Sequence, residues 1–222
     1  CPRTNYICIV TKSMKNNIAV FDENTLDYDY WFERHEISFQ SELLALKQAI
    51  PVKKSGIEIG VGTGRFAEYF DIEHGVEPSE NMAQVAEQRG IKVIRAVAED
   101  LPIESASFDF ALLVTTVCFL NDIPRAFSEI HRILKPQGEI ILAIIDKNSD
   151  LGKKYETRKA NNIFYKDAHF HSTEEITELV TQAGFGKQEY WQTLFSNNDD
   201  KIEQPKAGFG EGGFVVIKAQ KK

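Results

Sequence analysis

Apolar residues occur along this chain in short, nearly continuous runs, and these alternate with stretches of helical spacing. Ile57–Ile59, Glu73–Val76, Ile91–Ile94, Phe108–Thr115 and Glu139–Ile145 read as strands. Phe108–Thr115 is almost wholly apolar, as a strand buried on both faces requires. Helical spacing falls between the strands, at Gly64–Phe70, at Glu80–Arg89 and from Asp122 through Pro124 to Leu134. Ser79 stands where an N-cap is needed and Gly90 where a helix closes; Lys135-Pro136-Gln137-Gly138 ends the third helix. Two more helices, Glu23–Phe32 and Ser38–Ile50, precede the first strand. In the second, Phe39, Leu43, Leu44, Leu46 and Ile50 lie on helical spacing and Pro51 stops it. The alternation predicts an α/β fold: a Rossmann-like, doubly wound, mostly parallel seven-stranded sheet with helices on both faces.

The pattern changes after Asp146. Lys147–Ala168 is polar with Tyr155, Phe164 and Tyr165 interspersed, and residues 147–171 are expected to form a cap insertion. Ser172-Thr173-Glu174-Glu175 has the spacing of a capping box and opens a helix to Ala183, with Gly184 after it. Lys187–Leu194 and Gly213–Lys218 read as closing strands, the last of them antiparallel, joined by a loop over Ser196–Gly212. Residues 14–222 are expected to form one domain, with a small helical cap over 21–50. Residues 1–13 have little periodicity and precede Met14; they are expected to be a disordered or non-native extension, with a structured arm as the alternative.

Composition narrows the function classes. Hydrophobic residues make up 42% of the 222, enough for a full core. A net charge of −7 argues against a nucleic-acid partner, which calls for a basic face. No apolar run approaches the roughly 18 residues of a membrane span, and Ile7-Cys8-Ile9-Val10 is too short for a signal core. The three cysteines, Cys1, Cys8 and Cys118, have no paired spacing, so a reduced, cytoplasmic setting is expected.

The candidate chemistry begins at Gly60-Val61-Gly62-Thr63-Gly64, where a strand runs into three alternate glycines and then a helix. Such turns hold nucleotide-like cofactors in open α/β sheets. Glu58 stands two residues before the first glycine. Glu77 ends the next strand, where a carboxylate accepts hydrogen bonds from ribose hydroxyls. Ala98-Glu99-Asp100-Leu101-Pro102 follows the third strand, beside the crevice in which an adenine would lie. A nicotinamide dinucleotide is the competing cofactor, but its fingerprint is Gly-x-Gly-x-x-Gly; here Arg65 stands where the third glycine belongs.

On these residues the chain resembles the class I S-adenosylmethionine-dependent methyltransferases, in the small-molecule, type 11-like branch. The resemblance runs from about Phe21 to the end. It rests on Gly56–Gly64, on Gly75-Val76-Glu77-Pro78-Ser79 with Met82, on Ala98–Ile103, on Ser107-Phe108-Asp109 and on Ile130–Glu139. It implies S-adenosyl-L-methionine as cofactor and S-adenosyl-L-homocysteine as product. Gly60, Val61, Gly62 and Gly64 would pass under the methionine and ribose, with Glu58 ordering the loop and the cofactor's amino end. Glu77 and Pro78 would hold the ribose, Met82 the adenine face, and Ala98 and Glu99 the adenine edge; Thr115 would complete the cofactor set. Relatives often carry Asp before the Ala-Glu pair, where this chain has Val97. The adenine amino contact then falls to Glu99, to backbone or to water.

Methyl transfer from a sulfonium needs alignment and exclusion of water more than a dedicated catalyst, so no catalytic residue is diagnostic. Tyr28, His169 and His171 are the candidates for a base or positioning role, against plain helix-stripe or loop roles. The acceptor pocket is expected from Tyr28, Trp31, Thr116, Cys118 and Tyr165, with a small molecule such as an amine as acceptor. For Cys118 the preferred reading is a small buried hydrophobe rather than a reactive thiol. No metal, nucleic-acid or membrane partner is expected. The alternatives are a cofactor-binding sensor or scaffold without activity and, on the other cofactor, an oxidoreductase.

Overall fold

The computed structural model describes residues 12–196 and 200–222, with side chains from Ile18 onward. Residues 1–11, with Cys1 and Cys8 and most of the expected extension, lie outside the described residues. Three helices come first: α1 Lys12–Glu23, α2 Thr25–Arg34 and α3 Glu36–Ala49. Then follow β1 Gly56–Ile59, α4 Arg65–Tyr69, β2 His74–Val76, α5 Glu80–Gln88, β3 Lys92–Ile94 and β4 Phe108–Val114. The chain continues through α6 Ile123–Ile133, β5 Leu134–Ile145, α7 Asp150–Arg158, α8 Thr173–Gln182, β6 Phe185–Thr193, β7 Lys206–Ala207 and β8 Phe214–Lys221.

Local chemistry sets the helix starts. Ser79 accepts the Met82 N–H at 3.3 Å, Asp122 accepts that of Arg125 at 3.0 Å, and Ser172 with Glu175 closes a reciprocal capping box. The strands form one mixed sheet in the order β3-β2-β1-β4-β5-β8-β6-β7. β1 through β5 are parallel neighbours, and β8 inserts antiparallel between β5 and β6. Apolar side chains fill both faces. Phe127, Ile130 and Ile133 of α6 and Ile176 and Val180 of α8 pack on one; Leu43 and Leu46 of α3 and Phe66 of α4 pack on the other. Each such fully buried side chain contributes about 1.5–3 kcal/mol.

Three elements go beyond the sequence reading. The helix α1 reaches back to Lys12. Within the polar stretch after Asp146, α7 forms behind Ser149, which accepts the Gly152 N–H at 2.9 Å. The expected loop over 196–212 carries the two-residue strand β7, which pairs with Gln192 and Trp191 and makes an eighth strand at the sheet edge. Strand order reverses between β1 and β4, and the crevice outside their carboxyl ends is where an open α/β sheet receives a ligand.

Candidate active site

The turn after β1 is built from glycine for two different reasons. Gly60 has φ +73°, and a Cβ there would stand 2.5 Å from Thr116 Cγ2. Gly64 has φ +87°, and a Cβ there would meet Ile91 Cδ1 at 2.5 Å and Ala86 at 3.2 Å, so this glycine lets α4 approach α5. Gly60 and Gly62 line the crevice cavity; Gly64 and Val61 do not. The Val61 side chain packs against Gly75 in the core.

Three carboxylates surround this turn, all buried. Glu77 Oε2 accepts the Gly62 N–H and Oε1 accepts the Ser79 N–H, each at 2.9 Å, and the side chain lines the cavity. Burial pushes its carboxyl up to about 7, against the pull of those two N–H groups. Glu58 lies outside the cavity lining and is 1% exposed. Burial raises its carboxyl well above the usual range, the Ala67 N–H opposes this, and the Glu77 charge adds to it. Glu99 Oε1 accepts the Asn121 N–H at 3.0 Å, while its Oε2 is buried with no hydrogen-bond partner. Pro78, Met82, Ala98 and Glu99 all line the same cavity, on the side of β2 and α5.

The opposite wall comes from the N-terminal helices and the end of β4. Ile18 and Phe21 of α1, Tyr28 of α2, Thr115, Thr116 and Tyr165 face inward. Thr115 holds φ +48°, a left-handed conformation costly for a β-branched residue, and its carbonyl accepts the Cys118 thiol at 3.2 Å. Phe21 packs edge-on against Tyr28 at 5.8 Å and against Phe119 at 5.1 Å. Asp22 ties α1 down, accepting the Ser79 hydroxyl at 2.8 Å and the Asn81 N–H at 2.9 Å. Asp29 ties down α2 through Arg65, at 2.6 and 2.8 Å, and Arg89, at 3.1 and 3.3 Å. Burial and the charges of Glu58 and Glu77 push the Tyr28 hydroxyl up, so it stays a neutral phenol.

The remaining sequence candidates lie elsewhere. Trp31 lines a second cavity of about 530 Å³, between α2, α3 and α7. Cys118, His169 and His171 line a third, with Asp122 and Asp167. Burial pushes the Cys118 thiol up to about 12 and lowers His171 below its ordinary value. His169 Nδ1 lies 3.1 Å from the Asp167 carbonyl oxygen. Neither histidine reaches the glycine turn's cavity. Among the described residues no three His, Cys, Asp or Glu side chains cluster as a metal site needs. No helix of the described residues is long and apolar enough to cross a membrane.

Sequence reading missed Ile18 and Phe21 as lining residues. Ile18 and Phe21 do lie three apart, one helical face, but no capping signal marks α1.

The crevice fits a nucleoside with an amino-acid tail. Gly60 leaves no room for a Cβ, Glu77 retains lone pairs beyond its two N–H contacts, and Glu99 Oε2 lacks a partner. Comparison with known proteins settles the family. A methyltransferase-domain model matches residues 57–142. A Thermotoga maritima crystal structure described as a SAM-dependent methyltransferase, possible histamine N-methyltransferase, is 48% identical; it aligns over 92% of this chain and 99% of its own, with TM-score 0.89. The chain belongs to the S-adenosylmethionine-dependent methyltransferases. This methyltransferase is also 49% identical over 204 residues to an uncharacterised protein of Methanocaldococcus jannaschii, across 91% of this chain and 98% of that one. It shares the fold of a Haemonchus contortus phosphoethanolamine N-methyltransferase 2 solved with S-adenosyl-L-methionine. That match has 21% identity and TM-score 0.57, over 81% of this chain and 52% of that one. As a member of that family the chain takes S-adenosyl-L-methionine as its cofactor.

Proposed function

We propose that this methyltransferase transfers the methyl group to a small-molecule amine in the cytoplasm. The observation that carries the small-acceptor reading is the roof of the crevice. Ile18, Phe21 and Tyr28 line its upper wall, on helices latched through Asp22 and Asp29, and such an apolar, aromatic wall suits a small acceptor. The net charge of −7 supports the same reading against nucleic acid. The amine is supported by two similar proteins: the Thermotoga protein described as a possible histamine N-methyltransferase, and the Haemonchus phosphoethanolamine N-methyltransferase 2, which shares the fold.

The bound cofactor supplies a methyl group on a sulfonium, already activated for in-line displacement. The chain's part is to bind, align and exclude water. Glu77 accepts the two ribose hydroxyls on the lone pairs its backbone contacts leave open. Glu58, behind the cavity lining, secures the start of α4 through the Ala67 N–H and would act on the cofactor's amino end from beneath the glycine turn. Met82 packs on the adenine, and Glu99 Oε2 with the Ala98 backbone takes its edge. Tyr28, as a neutral phenol, donates a hydrogen bond rather than removing a proton. Calorimetric titration with S-adenosylhomocysteine tests the donor site. Release of S-adenosylhomocysteine across amines, thiols, phenols and carboxylates tests the acceptor; turnover confined to thiols or phenols would overturn the amine.

A further inference from the structure

The wall of the crevice opposite β2 and α5 is built from aromatic rings. Phe21 of α1, Tyr28 of α2, Phe119 after β4 and Tyr165 after α7 all line the crevice, so four segments far apart in sequence bring one ring each to it. Among the described residues no Lys, Arg or His side chain lines the crevice, while Glu77 and Glu99 do. The rings hold one another in place. Phe164 stacks on Phe21 with centroids 5.4 Å apart, and Tyr165 stacks on Phe119 at 5.9 Å. Phe21 and Phe119 nevertheless stay half-buried, where Phe127, Phe185 and Phe214 are sealed in the core. The chain's own cations go to other rings: among the described residues, Arg65 lies over Phe32 and Lys206 over Phe195.

Polar groups on this wall are already engaged. Thr116 Oγ1 donates to the Val114 carbonyl at 3.1 Å, and the Thr115 carbonyl accepts the Cys118 thiol. A primary ammonium brings three N–H donors and would give up their water here for little in exchange. An ammonium with three or four carbon substituents brings one N–H or none, and its charge is attracted to ring faces. We infer that this wall is an aromatic cage for an alkylated ammonium, and that the acceptor is a tertiary amine, which becomes a quaternary ammonium. This rests on the small-molecule amine reading above and makes it narrower. The amine reacts in its neutral form, its proton left in water. Its lone pair forms the N–C bond as the C–S bond breaks, and the electron pair of the broken bond stays on sulfur. Nitrogen takes the positive charge, which the ring faces stabilise, and no N–H remains to be desolvated.

The test is calorimetric binding to the full chain with S-adenosylhomocysteine present, using choline, ethanolamine and 3,3-dimethylbutanol as probes. Ethanolamine keeps the charge but exposes its N–H groups; the alcohol keeps choline's shape without the charge. Choline is expected to bind tenfold or more tighter than either. Phe21→Leu and Phe119→Leu, which keep apolar bulk and remove a ring, should each reduce choline's advantage over the alcohol to threefold or less. That ratio is read on one folded protein, so a loss of stability does not move it. In turnover, kcat/KM for N,N-dimethylethanolamine should exceed that for ethanolamine tenfold or more. Choline binding no tighter than the alcohol, an unmoved ratio in both variants, or a higher kcat/KM for ethanolamine overturns the inference and leaves the amine reading standing. Turnover confined to thiols or phenols would instead overturn the amine reading, and failure of S-adenosylhomocysteine to bind would overturn the donor site.

Discussion

The carboxylate of Glu77 accepts the N–H of Gly62 at 2.9 Å, joining the end of β2 to the glycine turn fifteen residues earlier. This bond, with the one from Ser79, is made in a buried site that holds the carboxyl at about 7. A carboxyl raised in the fold stabilises most below its unfolded value near 4.5, and that contribution is lost as pH rises toward 7. Unfolding free energy should fall by on the order of 3 kcal/mol across that window through this group. Urea denaturation at pH 5 and pH 8 checks it, and Glu77→Gln should flatten the slope.

The same titration acts on ligand affinity with the opposite sense. Ribose hydroxyls donate best to the charged form, so S-adenosylhomocysteine should bind more tightly from pH 6 to pH 8 and level off above. Proton release, measured by calorimetry in buffers of different ionisation enthalpy, should peak near pH 7 and vanish in Glu77→Gln.

Glu58 separates stability from binding. Burial favours its neutral form in the free protein, so Glu58→Gln should leave the melting temperature within about 2 °C, a shift worth under ~1 kcal/mol in a domain of this size. Affinity for S-adenosylhomocysteine should nonetheless drop tenfold or more, because the amide cannot serve as counter-charge to the cofactor's amino end. Unchanged affinity would remove Glu58 from the donor site.

At Gly60 both backbone and space are restrictive. Gly60→Ala combines a positive φ with a Cβ 2.5 Å from Thr116. A cost of about 1–3 kcal/mol and loss of cofactor binding are expected. Gly64→Ala should lose stability through Ile91 and Ala86 with a smaller effect on affinity for the folded fraction. Thermal melts and titration of each variant distinguish the two glycines.

Cys118 is buried and its thiol is held at about 12, so it should resist alkylation in the native protein. Mass spectrometry of the Cys118 peptide after iodoacetamide, with and without denaturant, checks this. Cys118→Ala should keep activity within about threefold, the cost of one small buried side chain away from the crevice. A severe loss would restore the thiol to the acceptor site.

Much of the donor half could be read along the chain because it is local. Ser79, Asp122 and Ser172 cap helices through bonds spanning three residues, and Glu77 follows from a strand ending beside a glycine turn. Which side chains share a cavity could not. The sequence offers Tyr28 and Trp31 together, and Gly62 and Gly64 together, yet each pair divides between neighbouring environments.

What the sequence by itself determined is the alternating α/β order, the glycine turn with its flanking carboxylates, and hence the cofactor class. Period and capping are short-range and fix strand ends and helix starts. What only the tertiary structure decided is which face of each helix meets which cavity. That orientation depends on Asp22 reaching Ser79 and on Asp29 reaching Arg65 and Arg89, bonds spanning 57, 36 and 60 residues. These long-range contacts hold α1 and α2 over the crevice with Tyr28 toward it and Trp31 on another cavity, an arrangement no local spacing announces.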